Sequence, residues 1–79
     1  MVEKKLKAVF SFAKTSDAMK MDKLNNENKL PGKMIPVPRE ISAGCGIAYS
    51  IDVGFRDKVE TLAKESAVNI ESIHEIKMY

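Results

Sequence analysis

The sequence has no tryptophan and one cysteine, Cys45, among 79 residues. A single cysteine cannot close an intrachain disulfide, so no covalent framework staples this fold. A structural zinc is excluded on similar grounds, because Cys45 and the lone His74 are the only soft ligands and such a site takes four. No Ser-His-Asp triad can be argued from that one histidine, and no phosphate-cradling glycine loop of the Walker or dinucleotide type occurs. No apolar run approaches the roughly 18–20 residues of a membrane span. The opening Met1-Val2-Glu3-Lys4-Lys5 has a basic flavour, but the apolar stretch from Leu6 to Ala13 is broken by Lys7 and Ser11. No small-residue cleavage site follows, so no signal peptide is read and the cytoplasm is the expected location. An excess of one charge sign is missing too. Residues 1–40 carry nine basic and five acidic groups, residues 41–79 four and six, for a net charge of +2. That mild dipole steers an anionic partner weakly and falls far below the basic density of a dedicated nucleic-acid binder.

What is present is an ordinary globular composition, 44% apolar and 30% charged. The length supports one domain over residues 1–79, with 1–5 as a charged extension. At about 1.5 kcal/mol of ordering cost per residue, a core of this size ends close to balance. Residues that do nothing for stability are therefore informative.

Residues 5–13 alternate. Leu6, Ala8, Phe10 and Phe12 share one face, which predicts a strand committed to the core on that side. Thr15 or Ser16 offers an N-cap, Asp17 suits the first helical turn, and Ala18, Met21 and Leu24 form a narrow apolar stripe. Asn25, Asn26 and Asn28 weaken the end of this helix, and Leu30-Pro31-Gly32 stops it. Lys33 to Val37 reads as a short strand at a sheet edge, since Pro36 has no amide to donate. Ile47 to Ile51 reads as a third strand. Asp52 offers a cap for a second helix, whose apolar face is Phe55, Val59, Leu62, Ala63 and Ser66, and which Asn69 closes. Ile70 to Met78 is a last strand. The order β-α-β-β-α-β, with right-handed crossovers, predicts an α+β ferredoxin-like sandwich: a four-stranded antiparallel sheet with two helices on one face. Met19, Met21 and Met34 are expected to fill gaps between helix and sheet. Lys4, Lys5 and Lys7 are expected to be solvated.

The loop 38–46 fits packing logic least. Gly44 and Gly46 flank Cys45, remove packing side chains and enlarge unfolded-state entropy. Glycines serve where the backbone takes positive φ or where another group comes close, and here they leave the thiol sterically open. Free amides in such a loop can form an anion-binding concavity. Arg39 lies six positions before Cys45 and can fold over the sulfur, which would lower the thiol pKa and favour the nucleophile. The plain alternative makes Cys45 a small buried residue at the head of a strand. Glu40 beside Arg39 reads as a solvated pair, and His74 as a surface or partly packed histidine.

The segment Pro36-Val-Pro-Arg-Glu-Ile-Ser-Ala-Gly-Cys-Gly46 resembles the selenium/sulfur carrier-like domain family. The shared positions are Pro36, Pro38, Arg39, Glu40, Ile41, Ser42, Cys45 and Gly46, and the similarity extends from about Leu6 to Ile76. The resemblance implies that Cys45 carries sulfur or selenium as a persulfide or selenopersulfide. Arg39 would then stabilise the anion, Ser42 would donate a hydrogen bond, and Gly44 and Gly46 would supply amides and clearance. It further implies a stoichiometric carrier without turnover of its own, needing no cofactor and no metal. Its partners would be a cysteine desulfurase or selenium/sulfur-transfer enzymes.

Two other classes use the same element order. An RNA-binding module would need aromatic residues on its first and third strands facing away from the helices. Here Phe10 and Phe12 lie on the helix-facing side, and the third strand offers only Tyr49. A regulatory or anion-binding module, pairing as a homodimer through a sheet edge, would use the 38–46 loop for a small ligand and leave Cys45 incidental.

Overall fold

The computed structural model describes residues 5–39, 41 and 46–78. Its elements are β1 (Lys5–Ser11), α1 (Thr15–Glu27), β2 (Lys33–Pro36), β3 (Ile47–Asp52), a 3-10 turn (Val53–Phe55), α2 (Arg56–Glu65) and β4 (Ser72–Met78). The four strands form one antiparallel sheet in the order β2-β3-β1-β4, the ferredoxin-like sandwich expected from the sequence. Pro36 does lie on an edge strand.

The helix-facing core joins Ala8, Phe10 and Phe12 to Tyr49 and Ile51, with Ala18 and Met21 from α1 and Val59 and Ala63 from α2. The alternation in β1 thus commits Ala8, Phe10 and Phe12 to this layer, while Leu6, on the same side, lies exposed near the strand's start. The opposite face is not left to water. Val9, Ala48 and Ile41 form a second buried cluster, with Ile35, Val37 and Ile76 packed against it. A central strand flanked by β3 and β4 has both faces to cover, so β1 is apolar on its second face at Val9 as well.

The helix ends differ from the sequence reading in instructive ways. The N-cap of α1 is Lys14, in extended conformation and with no side-chain capping bond, so Thr15 and Ser16 are already helical. At the other end Asn28 donates from Nδ2 to the Leu24 carbonyl at 2.8 Å. Lys29 takes a positive φ of 57°, and the Leu30 amide donates to the Asn25 carbonyl at 2.9 Å. The asparagines therefore close the helix rather than fray it. The same device closes α2 earlier than Asn69: Ala67 has φ 57° and the Val68 amide donates to the Ala63 carbonyl at 2.9 Å. Met19 is 61% exposed and fills no core gap. Asp52 makes no capping bond; it accepts from Lys7 Nζ at 2.8 Å, and Lys7 is therefore paired rather than merely solvated. That hydrogen bond, aided by the charges of Lys7 and Lys5 and opposed by slight desolvation, holds the Asp52 carboxyl below its ordinary range.

One polar pair sits inside the helix-facing layer. Asn25 and Tyr49 are fully buried, and neither the Asn25 amide nor the Tyr49 hydroxyl has a hydrogen-bond partner of good geometry. Gly32 makes room for the phenol, since a β-carbon there would stand 2.5 Å from the Tyr49 ring. Burial raises the Tyr49 pKa; the neighbouring Asn25 amide opposes the rise and the Asp22 charge adds to it. The folded state thus keeps the phenol proton after the unfolded chain has lost it. This stabilisation of the neutral phenol is constant below about pH 10, where unfolded tyrosine is still protonated. Above that the fold loses stability as pH rises, because the unfolded state binds fewer protons. Urea titrations above about pH 10 should show a decline in wild type that is shallower in Tyr49→Phe; identical slopes would refute the assignment.

Candidate functional site

The connection from β2 to β3 runs past the end of the sheet that also holds the C-terminus of β1, the N-terminus of α1 and the N-terminus of β4. Its base is closed. Pairing of Pro36 with Ile47 continues into a bond from the Val37 amide to the Gly46 carbonyl at 3.1 Å. A turn then forms, with the Ile41 amide donating to the Pro38 carbonyl at 3.0 Å. This turn brings Ile41 down onto Val9 and Ala48, where it is 6% exposed. An isoleucine in a loop otherwise rich in turn-formers is explained by this contact: it is the lid on the second face of β1. The sequence reading treated Ile41 as one motif position and missed that role; the signal was a lone large apolar side chain between turn residues.

Gly46 has φ +74°, in the left-handed region where glycine is favoured, and nothing lies within 4 Å of where its β-carbon would be. Its requirement is conformational and not steric. Arg39 is exposed in the turn. Glu40, Ser42, Gly44 and Cys45 lie outside the described residues. Of the five expected site residues, the structure therefore locates Arg39 and Gly46, at either side of the anchored Ile41.

Two further features belong to this end of the sheet. A groove of about 880 Å³ runs between α1 and the β2–β3 pair, lined by Thr15, Met19, Lys20, Met34 and Ile47, and so begins one residue after Gly46. On the face that Ile41 covers, Ser11, Ser72 and His74 form a hydrogen-bonded chain: Ser11 Oγ to Ser72 Oγ, and Ser72 Oγ to His74 Nε2 at 2.9 Å. Ser11 is fully buried. Sequence reading saw His74 as a partly packed residue and did not connect it to Ser11, because the link needs the Ser11–Ser72 register between β1 and β4. Among the described residues no group of histidine, cysteine, aspartate and glutamate side chains could hold a metal ion, and no helix is long and apolar enough to cross a membrane.

The described residues define a ferredoxin-like α+β sandwich in which Ile41, from the β2–β3 connection, covers part of the sheet face away from the helices. The chain belongs to the family described as Putative Se/S carrier protein-like, whose model matches residues 7–75. No curated protein and no solved structure matches it.

The loop anchors are open to test. Gly46→Ala should lower stability by about 1–2 kcal/mol through backbone strain alone. Ile41→Ala should cost about 2 kcal/mol or more by uncovering Val9. Urea denaturation of each checks this, and wild-type midpoints in both would show that the loop is not anchored as described.

Proposed function

We propose that this protein carries one sulfur or selenium atom at a time on Cys45. The observation that carries the reading is the family match over residues 7–75, joined to a loop held at both sides of the cysteine by Ile41 and Gly46. In the forward step the Cys45 thiolate attacks the outer sulfur of a persulfide on a donor enzyme. The new S–S bond leaves Cys45 as the persulfide, and the donor's inner sulfur departs as a thiolate, so the exchange needs no external oxidant. A second nucleophile then attacks the outer atom and Cys45 leaves as thiolate. Lack of a second cysteine suits this cycle, because a resolving thiol would expel the cargo by closing a disulfide. Arg39, exposed beside the anchor, is a cation for the anionic sulfur; Ser42 and the amides around Gly44 and Gly46 are its hydrogen-bond donors. The donor is a cysteine desulfurase or another selenium/sulfur-transfer enzyme.

The RNA-binding reading loses its basis. Phe10, Phe12 and Tyr49 are all buried in the helix-facing layer, and the described strand positions of the other face carry no phenylalanine, tyrosine or tryptophan. Binding of a small anion keeps one observation in its favour, the Lys20-rimmed groove that begins at Ile47. Incubation with a cysteine desulfurase and cysteine, followed by intact mass measurement, separates the two. Wild type should gain one sulfur and Cys45→Ser none. An unmodified wild type would overturn the carrier reading and leave anion binding ahead.

A further inference from the structure

We propose that two copies of this chain pair antiparallel through β4, with Ile76 of each on the two-fold axis and Glu75 of each opposite the partner's Lys77. The two edges of the sheet are built differently. β2 is four residues long and ends in Pro36, which has no amide to donate, and such an edge resists a further strand. β4 is seven residues long and contains no proline. Among the described residues it pairs with β1 alone. Alternate residues of an antiparallel strand turn their amide and carbonyl groups toward one neighbour, so the outer set of β4 faces away from β1 and can bond a new strand. Lys77 is exposed on this strand and forms no ion pair among the described residues.

The side chains choose both the partner and the register. Ile73 packs into the helix-facing core and Ile76 onto the cluster of the other face, so the odd-numbered residues of β4 lie on the helix side. A two-fold axis normal to the sheet joins two copies edge to edge with all their helices on one side, and it sets residues of like parity opposite each other. Centred on Glu75 it opposes two carboxylates, and centred on Lys77 two ammonium groups. Centred on Ile73 it sets Glu75 against the partner's Glu71, and centred on His74 against the partner's Ile73. Centred on Ile76 it sets Glu75 opposite the partner's Lys77 twice over and brings the two partly buried Ile76 side chains together on the open face. Opposite charges and apolar side chains directly across a strand pair are favourable, and like charges are not. Arg56, which bonds Glu75 from α2 and also approaches Glu60, then joins a row of alternating charge: Glu60, Arg56, Glu75 and the partner's Lys77. A strand of another protein would have to match this alternation, whereas a second copy supplies it by symmetry. The joined sheet has eight strands, with the β2 of each copy at its outer edges. Seven strand spacings separate those edges by about 34 Å, so the two β2–β3 connections stand on opposite sides of the assembly. The pairing is independent of the carrier reading, since no residue of that connection takes part in it.

Sedimentation velocity of the wild-type protein from about 10 µM to about 1 mM reads the association. A short strand-to-strand contact binds weakly, so the expected result is a dimer whose share grows with concentration. Wild type that is still monomeric at about 1 mM overturns the proposal. Lys77→Glu makes both cross-strand pairs repulsive and should weaken the dimer about tenfold or more. Equal dissociation constants for wild type and folded Lys77→Glu overturn the register. A cross-link reads the same register without a change of charge. In a Cys45→Ser background, oxidation of Ile76→Cys should join two copies by a disulfide across the axis, and Lys33→Cys on β2 should not. Equal cross-linking at the two positions, or none at Ile76→Cys, overturns pairing through β4.

Discussion

The constraint on which the structure turns is the double-sided burial of β1. A strand between two neighbours in a sheet offers both its faces, and here Ala8 and Phe10 on one side and Val9 and Ser11 on the other are all withdrawn from water. The helices cover one side. Nothing regular is available for the other, because the two helices sit together, as this topology requires. The β2–β3 loop supplies the cover with Ile41. Ile41 thereby becomes part of the core, and the Val37 amide bonded to the Gly46 carbonyl closes the base of the connection. One isoleucine of the β2–β3 connection thus contributes to the core. A 79-residue chain with one cysteine, and so no intrachain disulfide, has little surplus stability to spare.

The same burial accounts for the polar chain at the end of the sheet. Ser11 sits in β1 with no exposure, so its hydroxyl needs a partner, and Ser72 on β4 provides it. His74, two residues further along the same face, joins the chain and is oriented as a consequence. Asn25 and Tyr49 show the contrary case, a buried polar pair without good bonds, tolerated where Gly32 leaves space for the ring. The serine hydroxyls are satisfied; the Asn25–Tyr49 pair is a cost carried by the core.

The element order was legible because two periodicities were clean. Phe10 and Phe12 at spacing two, and Val59 and Ala63 at spacing four, each commit one face. Pro36 announced an edge. Less legible were features that depend on contacts between elements. Lys14 as the cap of α1 breaks the rule favouring Ser or Thr, and Asn25 is buried because its helix turns that face onto Tyr49. Ile41 and the Ser11–Ser72–His74 chain need the register of the sheet, which no local pattern states. The candidate site was visible as an oddity of composition around Cys45, and its described part, Gly46 at positive φ, has the conformation for which glycine is suited.

A carrier must release what it takes, and that property distinguishes it from a cysteine that merely oxidises. The most direct measurement is therefore the return step: the protein loaded with one labelled sulfur is freed of donor and mixed with excess small thiol. The account predicts that the label leaves in stoichiometric amount and that free Cys45 is regenerated for a second loading. Label that remains on the protein, or a Cys45 that cannot be loaded again, would contradict it.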